Sequence, residues 1–405
     1  MKKLEKSVPV IRFKGFSEAW EQRKLRDFTK ISQGLQIAIS DRYLENGDNR
    51  ELYITNEFLN TYSSPKYYIE NPPENVIANE DDILMTRTGN TGKVITNVIG
   101  AFHNNFFKID YNPMKTSKLF LYYVLVSENI QKEILIKAGT STIPDLKHND
   151  FYSIVIQVPK IQEQQKIGDF FKQLDNTIAL HQRKLDTLKL MKKAFSQQIF
   201  PENNRKKPKI RFTSFYEEWE QRKIGEYGYF YYGKSAPKWS VAQDATTPCV
   251  RYGELYTKFG PEIDIVHSYT NIDKSNLKFS SGNEVLVPRV GENPLDFANC
   301  SWLSISNVAI GEMISVYNTE QYPLFIAYYF RSKMKYEFAK RVEGGNVSNL
   351  YYSYLEDILI SVPSIEEQKK IAEFLNKIDI TINLLQNKLG RIKELKKAYL
   401  QNMFI

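Results

Sequence analysis

The chain has 405 residues, 42% hydrophobic and 25% charged, which is enough apolar content for two or three cores and excludes disordered, collagen-like and coiled-coil-only classes. A net charge of +8 permits a polyanionic partner without requiring one. Two cysteines and four scattered histidines leave a disulfide framework or a zinc cluster without ligands, so no metal is expected. The longest apolar run, Leu119 to Val126, is short for a bilayer, and Met1 to Phe13 has charges but no signal-peptide core. A cytoplasmic, soluble protein with no membrane association is the expectation.

The chain opens on a module that returns. Residues 8–25 recur at 207–224 with 11 of 18 positions identical, and residues 159–200 recur at 363–404 with 20 of 42 identical. Such self-similarity marks an internal duplication, in which constant ends enclose two divergent middles. The predicted division is a first domain over 1–158, a first constant helix over 159–206, a second domain over 207–362 and a second constant helix over 363–405.

In chain order, the first variable segment (26–158) reads as mixed α and β. Ile83 to Met85, Val94 to Ile95 and Ser153 to Val158 are short apolar runs bounded by turn residues, the signature of strands. Leu119 to Ala138 reads as one amphipathic helix. Pro159 ends the last strand, and residues 159–200 then carry an apolar seam with spacing that alternates between four and three. Ile167, Phe171, Leu174, Ile178, Leu185 and Leu188 define it, with His181 and Lys192 as polar members. This is coiled-coil spacing.

The second variable segment (225–362) repeats the plan, with a strand at Val285 to Val287 and a helix over Leu324 to Val342. Pro363 precedes the second seam, formed by Ile371, Leu375, Ile378, Ile382, Leu389 and Ile392, with Lys396 as its polar member. Ser364 and Glu367 have the spacing of a capping box. A seam of this length needs a partner helix, and the other copy in the chain is the nearest one. The predicted fold class is α+β: two mixed α/β domains joined by two long helices in an antiparallel coiled coil, with pseudo-two-fold internal repeat. Each helix of roughly 40 residues is about 60 Å long at about 1.5 Å per residue.

Catalytic signatures are missing. Asn71-Pro72-Pro73-Glu74 has the start of the motif with which amino-methyltransferases grip a flipped base, but Glu74 cannot stack, and no glycine-rich cradle for a methyl donor accompanies it. No nucleotide-binding loop and no nuclease-like carboxylate cluster stands out. No catalytic or metal-ligating residue is therefore assigned.

Two variable domains on a constant frame suit the reading of two sites on one duplex, with phosphate contacts holding register and side chains reading base edges. The candidate DNA-binding residues are polar groups at strand ends and glycine-marked loops. In the first half they are Gln33, Gln36, Thr55, Asn56, Arg87, Thr88, Asn90, Thr91 and Lys93; in the second, Lys234, Lys238, Arg251, Tyr252, Arg289 and Asn293. Arg can be bidentate to guanine and Asn or Gln to adenine. For each, a solvated loop residue is the competing reading. Arg87 and Arg289 carry most weight because both halves place Arg two residues before Gly after an apolar strand, although a structural salt bridge would give the same pattern. The alternative of another class is a non-catalytic protein-interaction scaffold with long coiled-coil helices.

These residues resemble a known family. An Ile-Arg-Phe opening with a Trp-Glu after it, a variable domain, and then Val158 to Ile167 or Val362 to Ile371 leading into a long helix, all twice over, are similar to the specificity subunit of type I restriction-modification systems. Asp82 to Lys93 is typical of its target recognition domains; the second half departs from it at Pro288 and at Glu292-Asn293-Pro294. The resemblance implies a chain with no catalysis of its own. It implies double-stranded DNA, two modification (methyltransferase) subunits and two restriction (translocase and endonuclease) subunits as partners. S-adenosylmethionine, ATP and Mg²⁺ are then cofactors of those partners, and this chain holds none. Each domain would read one half of a bipartite target, with the helices setting the unread gap. About 60 Å of helix against about 3.4 Å per base pair limits the half-site centres to roughly 17 base pairs apart.

Overall fold

The computed structural model describes residues 8–60, 66–202, 205–242 and 244–404; the first seven residues of the stretch considered for a leader lie outside the described residues. The chain divides into two compact units, Met1–Gln182 with Asn387–Ile405, and Arg183–Gln386. Each unit therefore contains one variable domain, the beginning of the helix that follows that domain, and the end of the other long helix.

In the first unit, the opening strand Glu21–Lys24 pairs antiparallel with Val155–Val158, immediately before the helix. Two four-stranded sheets follow. One runs in the spatial order Thr29–Gln33, Phe106–Tyr111, Ile83–Thr86, Val94–Thr96; the other runs Tyr67–Glu70, Arg50–Ile54, Gly100–Phe102, Ile77–Ala78. The second unit repeats this plan. Glu220–Lys223 pairs with Leu359–Val362. The order Gly228–Tyr232, Ile314–Thr319, Glu284–Pro288, Ser301–Leu303 matches the first sheet, with Glu262–Ile263 added at its edge. The apolar run at 83–85 and its counterpart at 285–287 thus occupy the same place in equivalent sheets, both fully buried. The four predicted strands all form, the one expected over Ser153 to Val158 as Val155–Val158.

The two amphipathic helices predicted as single elements are each broken. Lys118–Val126 and Glu128–Ala138 are separated by Ser127, whose backbone is extended (φ −66°, ψ 147°). Its hydroxyl donates to the Val124 carbonyl at 2.7 Å. A side chain that satisfies a helix carbonyl locally competes with continuation of the helix. In the second unit Pro323–Lys333 and Lys335–Ala339 are separated at Met334.

The long helices span Ile161–Gln198 and Ile365–Met403. Each begins inside its own domain's core: Ile167 and Phe171 are buried with Trp20, Leu25 and Phe120, and Ile371 and Leu375 with Trp219, Ile224 and Phe325. These positions, predicted as coiled-coil seam, therefore bind the domain as well as the partner helix. The pairing within each unit is antiparallel. In the first, Phe170 meets Tyr399 at 5.1 Å and Phe171 stacks on Phe404 at 5.7 Å between ring centroids; in the second, Phe195 meets Phe374 at 5.1 Å. Of the remaining predicted seam residues, Leu185, Ile382 and Leu389 are buried, whereas Leu174, Ile178, Leu188, Ile378 and Ile392 are half-buried.

The polar seam residues form matched clusters. Asp175 accepts from the Tyr123 hydroxyl at 2.7 Å and from the Lys396 ammonium at 2.5 Å. In the second unit Asp379 accepts from the Tyr328 hydroxyl at 2.8 Å and pairs with Lys192. Lys192 and Lys396 are thus partners for the opposing helix, which fits a register-setting role. Burial and the carboxylate beside them push both phenols up from their ordinary pKa. His181, the third polar seam residue, has neither ring nitrogen hydrogen-bonded.

The repeated opening motif has a physical reason. Arg12 donates to both Glu163 oxygens at 2.7 and 2.8 Å, and Arg211 donates to both Glu367 oxygens at 2.7 Å. Each ties the start of a repeat to the first turn of its own long helix. The capping box predicted at Ser364 is consequently only half formed. The Ser364 hydroxyl accepts from the Glu367 amide at 3.4 Å, but the Glu367 carboxylate is engaged by Arg211. Gln164 and Gln368 complete the joint, each donating to the carbonyl of the proline before the helix at 2.8 Å and accepting a backbone amide, Ser117 and Tyr322, at 2.9 Å.

Candidate nucleic-acid interface

The two Arg-x-Gly loops emerge from equivalent strands. In the first unit the loop after Thr86 is closed by the Thr86 amide donating to the Lys93 carbonyl at 2.9 Å and by the Thr86 hydroxyl donating to the Asn90 carbonyl at 2.6 Å. Gly89 has φ +66°, and a Cβ there would lie 2.5 Å from the Asn56 amide nitrogen; that nitrogen donates to the Thr88 carbonyl at 3.0 Å. Only glycine fits. Thr91 donates to the Pro144 carbonyl at 2.7 Å, while Asn90 and Lys93 are exposed. Both line an open hollow with Leu59, Asn60, Thr91 and Gln131.

Arg87 is engaged from within. Its guanidinium pairs with Asp145 at 2.7 Å, its Nε reaches the Leu146 carbonyl at 3.5 Å, and Thr88 also donates to Asp145. Arg87, Thr88 and Thr91 therefore brace the loop against residues 144–146. Gln33 and Gln36 converge on Asn104: Gln33 donates to its carbonyl at 3.0 Å and Gln36 accepts from its side chain at 3.1 Å. Thr55 is buried with its hydroxyl on Glu57 at 3.2 Å. The structure thus brings Asn56, Arg87, Thr88, Asn90, Thr91 and Lys93 together around one loop, and Gln33 and Gln36 gather on Asn104, next to Asn105, whose carbonyl accepts from the Arg87 amide at 2.7 Å.

The second loop is built differently. Arg289 follows Glu284–Pro288, with its amide donating to the Met313 carbonyl at 3.1 Å and its carbonyl accepting from Leu350 at 2.8 Å. Its guanidinium carbon lies 4.5 Å from the Tyr232 ring centre and 5.5 Å from that of Tyr351. Gly291 leaves room for Tyr256, whose hydroxyl would be 2.8 Å from a Cβ there and donates to the Val290 carbonyl at 2.9 Å. Tyr252 and Asn293 line the cleft of about 360 Å³ beside it, with Tyr256 and Val347. Asn293 is also occupied as a cap, accepting from the Leu295 amide at 3.2 Å. The Arg251 amide donates to Glu254 at 3.0 Å. Lys234 and Lys238 are exposed, and Lys234 reaches the Ser275 carbonyl at 3.3 Å.

The comparison with known proteins turns on this duplicated frame. A family model described as the type I restriction modification DNA specificity domain matches residues 17–190 and again 216–394. The chain belongs to that family. Recognition of DNA sequence for a type I restriction-modification system is the activity that this membership carries. Among curated relatives, the type I restriction enzyme MjaVIII specificity subunit of Methanocaldococcus jannaschii is 26% identical over 404 residues, covering 94% of this chain and 91% of the relative. The putative MjaX specificity subunit of the same organism is 25% identical, covering 72% and 68%. The S subunit of the M. genitalium type I system shares the fold, with a TM-score of 0.63 at 13% identity over 98% of this chain and 99% of that one. A chain from a structure on complex assembly and conformational transition of the type I R-M system gives a TM-score of 0.51 at 15% identity, over 94% and 96%.

Among the described residues no group of three or more His, Cys, Asp or Glu is arranged to hold a metal ion, and no helix is long and apolar enough to cross a membrane. Asn71, opening the motif that is reminiscent of amino-methyltransferases, sits at φ +46° with its amide donating to the Asn49 carbonyl at 2.8 Å; it makes a turn after Tyr67–Glu70. Sequence reasoning missed Asp175 and Asp379 as polar partners of the seam, and it quoted the motifs that hold Arg12, Glu163, Gln164, Arg211, Glu367 and Gln368 without pairing arginine to glutamate. The signal that could have found these pairings is identity between the two copies.

Proposed function

We propose that the chain is the non-catalytic DNA-reading component of a type I restriction-modification assembly, with each variable domain reading one part of a bipartite duplex target. The observation that carries this is a constant frame, joined by the same ion pairs in both copies, that presents two loops of unlike chemistry from the same strand position. The frame suits docking of two modification subunits, which would supply S-adenosylmethionine chemistry. Two restriction subunits would supply ATP- and Mg²⁺-dependent translocation and cleavage. Cytoplasmic location follows from that role. The domain limits proposed for it are 1–158 and 207–362, with the helices between and after them setting the unread gap.

Phosphate contacts from exposed lysines such as Lys93, Lys234 and Lys238 would hold register, and side chains of the two loops would meet base edges. The test is footprinting of the chain together with its modification partner on duplex DNA. Two short protected blocks separated by a fixed gap are expected. A single contiguous block, or the weak and sequence-indifferent binding of a protein scaffold, would refute the proposal.

A further inference from the structure

We infer that Arg289 is the side chain with which the second domain reads a guanine, through the O6 and N7 edge in the major groove. The inference rests on the DNA-reading function proposed above and adds to it the residue and the base.

Three observations carry it. First, Arg289 has its donors unengaged. Its Nε is buried without a hydrogen-bond partner, and among the described residues no hydrogen bond or ion pair reaches its guanidinium. A half-buried cation without a carboxylate is unfavourable, and a protein that only needed a strut would pair it. Second, the group is held in place. Its backbone is hydrogen-bonded on both sides, to Met313 and from Leu350, and the rings of Tyr232 and Tyr351 lie within 4.5 and 5.5 Å of the guanidinium carbon. Aromatic rings stabilise a guanidinium without occupying its N–H groups. Tyr232 is itself fixed by Tyr352, whose ring centre is 4.6 Å away, and its carbonyl accepts from Lys278 at 2.8 Å.

Third, the equivalent position in the first domain shows what a bracing arginine looks like. Arg87 has Asp145, the Leu146 carbonyl and a cooperating Thr88; Arg289 has none of these. An oriented planar fork with free donors matches a bidentate acceptor, and duplex DNA offers two, a backbone phosphate and the O6 and N7 edge of guanine, of which only guanine has a fixed place in the groove for a rigidly mounted fork to meet. A phosphate is satisfied by a mobile lysine and does not require such a mount.

The experiment is binding-site selection from a randomised duplex library, using the full chain with its modification partner, for the parent and for Arg289→Lys and Arg289→Met. Melting temperatures are measured alongside, and Arg289→Lys, which keeps the charge, serves as the variant whose fold is preserved. The expected result is that both variants retain the two-block target and its gap but lose preference for guanine at one base pair of one block, by about tenfold or more. A uniform loss of affinity at all sequences would identify a phosphate contact and overturn the inference. Unchanged preferences in both blocks would also overturn it, leaving the bipartite reading intact. A parent complex that selects no two-block target would instead defeat the function on which the inference rests.

Discussion

Arg12 with Glu163 and Arg211 with Glu367 are the same joint made twice, to within 0.1 Å in bond length. Arg87 and Arg289 are the same sequence position made into two different things: one is an ion-paired brace on Asp145, and the other, among the described residues, is an unpaired fork against the rings of Tyr232 and Tyr351. The first comparison teaches where duplication has been kept, at the seat of each long helix. The second teaches where it has been abandoned, at the loop that follows a buried strand in each domain. The proposed reading, two domains held in one way that read two different sequences, calls for that split.

The largest effect is expected at the joints. Glu163 and Glu367 are nearly inaccessible, and removing the arginine strands a buried carboxylate, so Arg12→Ala and Arg211→Ala should each cost about 3 kcal/mol. Urea unfolding checks this, and clearly unequal losses would break the equivalence of the two seats. Next come the loop arginines. Arg87→Met removes a partly buried ion pair and should cost about 1–2 kcal/mol, whereas Arg289→Met removes ring contacts and should cost about 0.5 kcal/mol. Equal losses would mean that both are braces.

The seam clusters are more exposed, with Asp175 and Lys396 side chains 35% and 22% accessible. Lys396→Met should cost about 1 kcal/mol, with Asp175→Lys in combination with Lys396→Asp recovering part of the loss from either single reversal. The smallest effect is chemical silence. Cys249 and Cys300 are fully buried, and burial pushes the Cys249 thiol up to about 11 and that of Cys300 higher still. Neither should be alkylated by iodoacetamide at pH 8 in the native protein, and mass spectrometry before and after denaturation reads the difference.

The parts of this architecture that the sequence made legible are those with a long period or a second copy. The helices over Ile161–Gln198 and Ile365–Met403 announce themselves through a sustained apolar seam, and the opening modules through identity. What stayed hidden is local or distant. Ser127 breaks a stretch that reads as one amphipathic helix, through a hydrogen bond to the Val124 carbonyl that helical periodicity does not register. Asp145 lies 58 positions from Arg87, and nothing near either residue marks them as partners, so the sequence could not tell a brace from a reader. The seam positions Ile167 and Phe171 looked like coiled coil because domain core and helix partner demand the same apolar face.

The central claim, that the variable segments read while the constant modules hold, is tested most directly by replacing residues 225–362 with a second copy of residues 26–158 and selecting the preferred duplex with the modification partner present. The account predicts a target made of two copies of the block read by the first domain. Retention of the parent's two unlike blocks would contradict it.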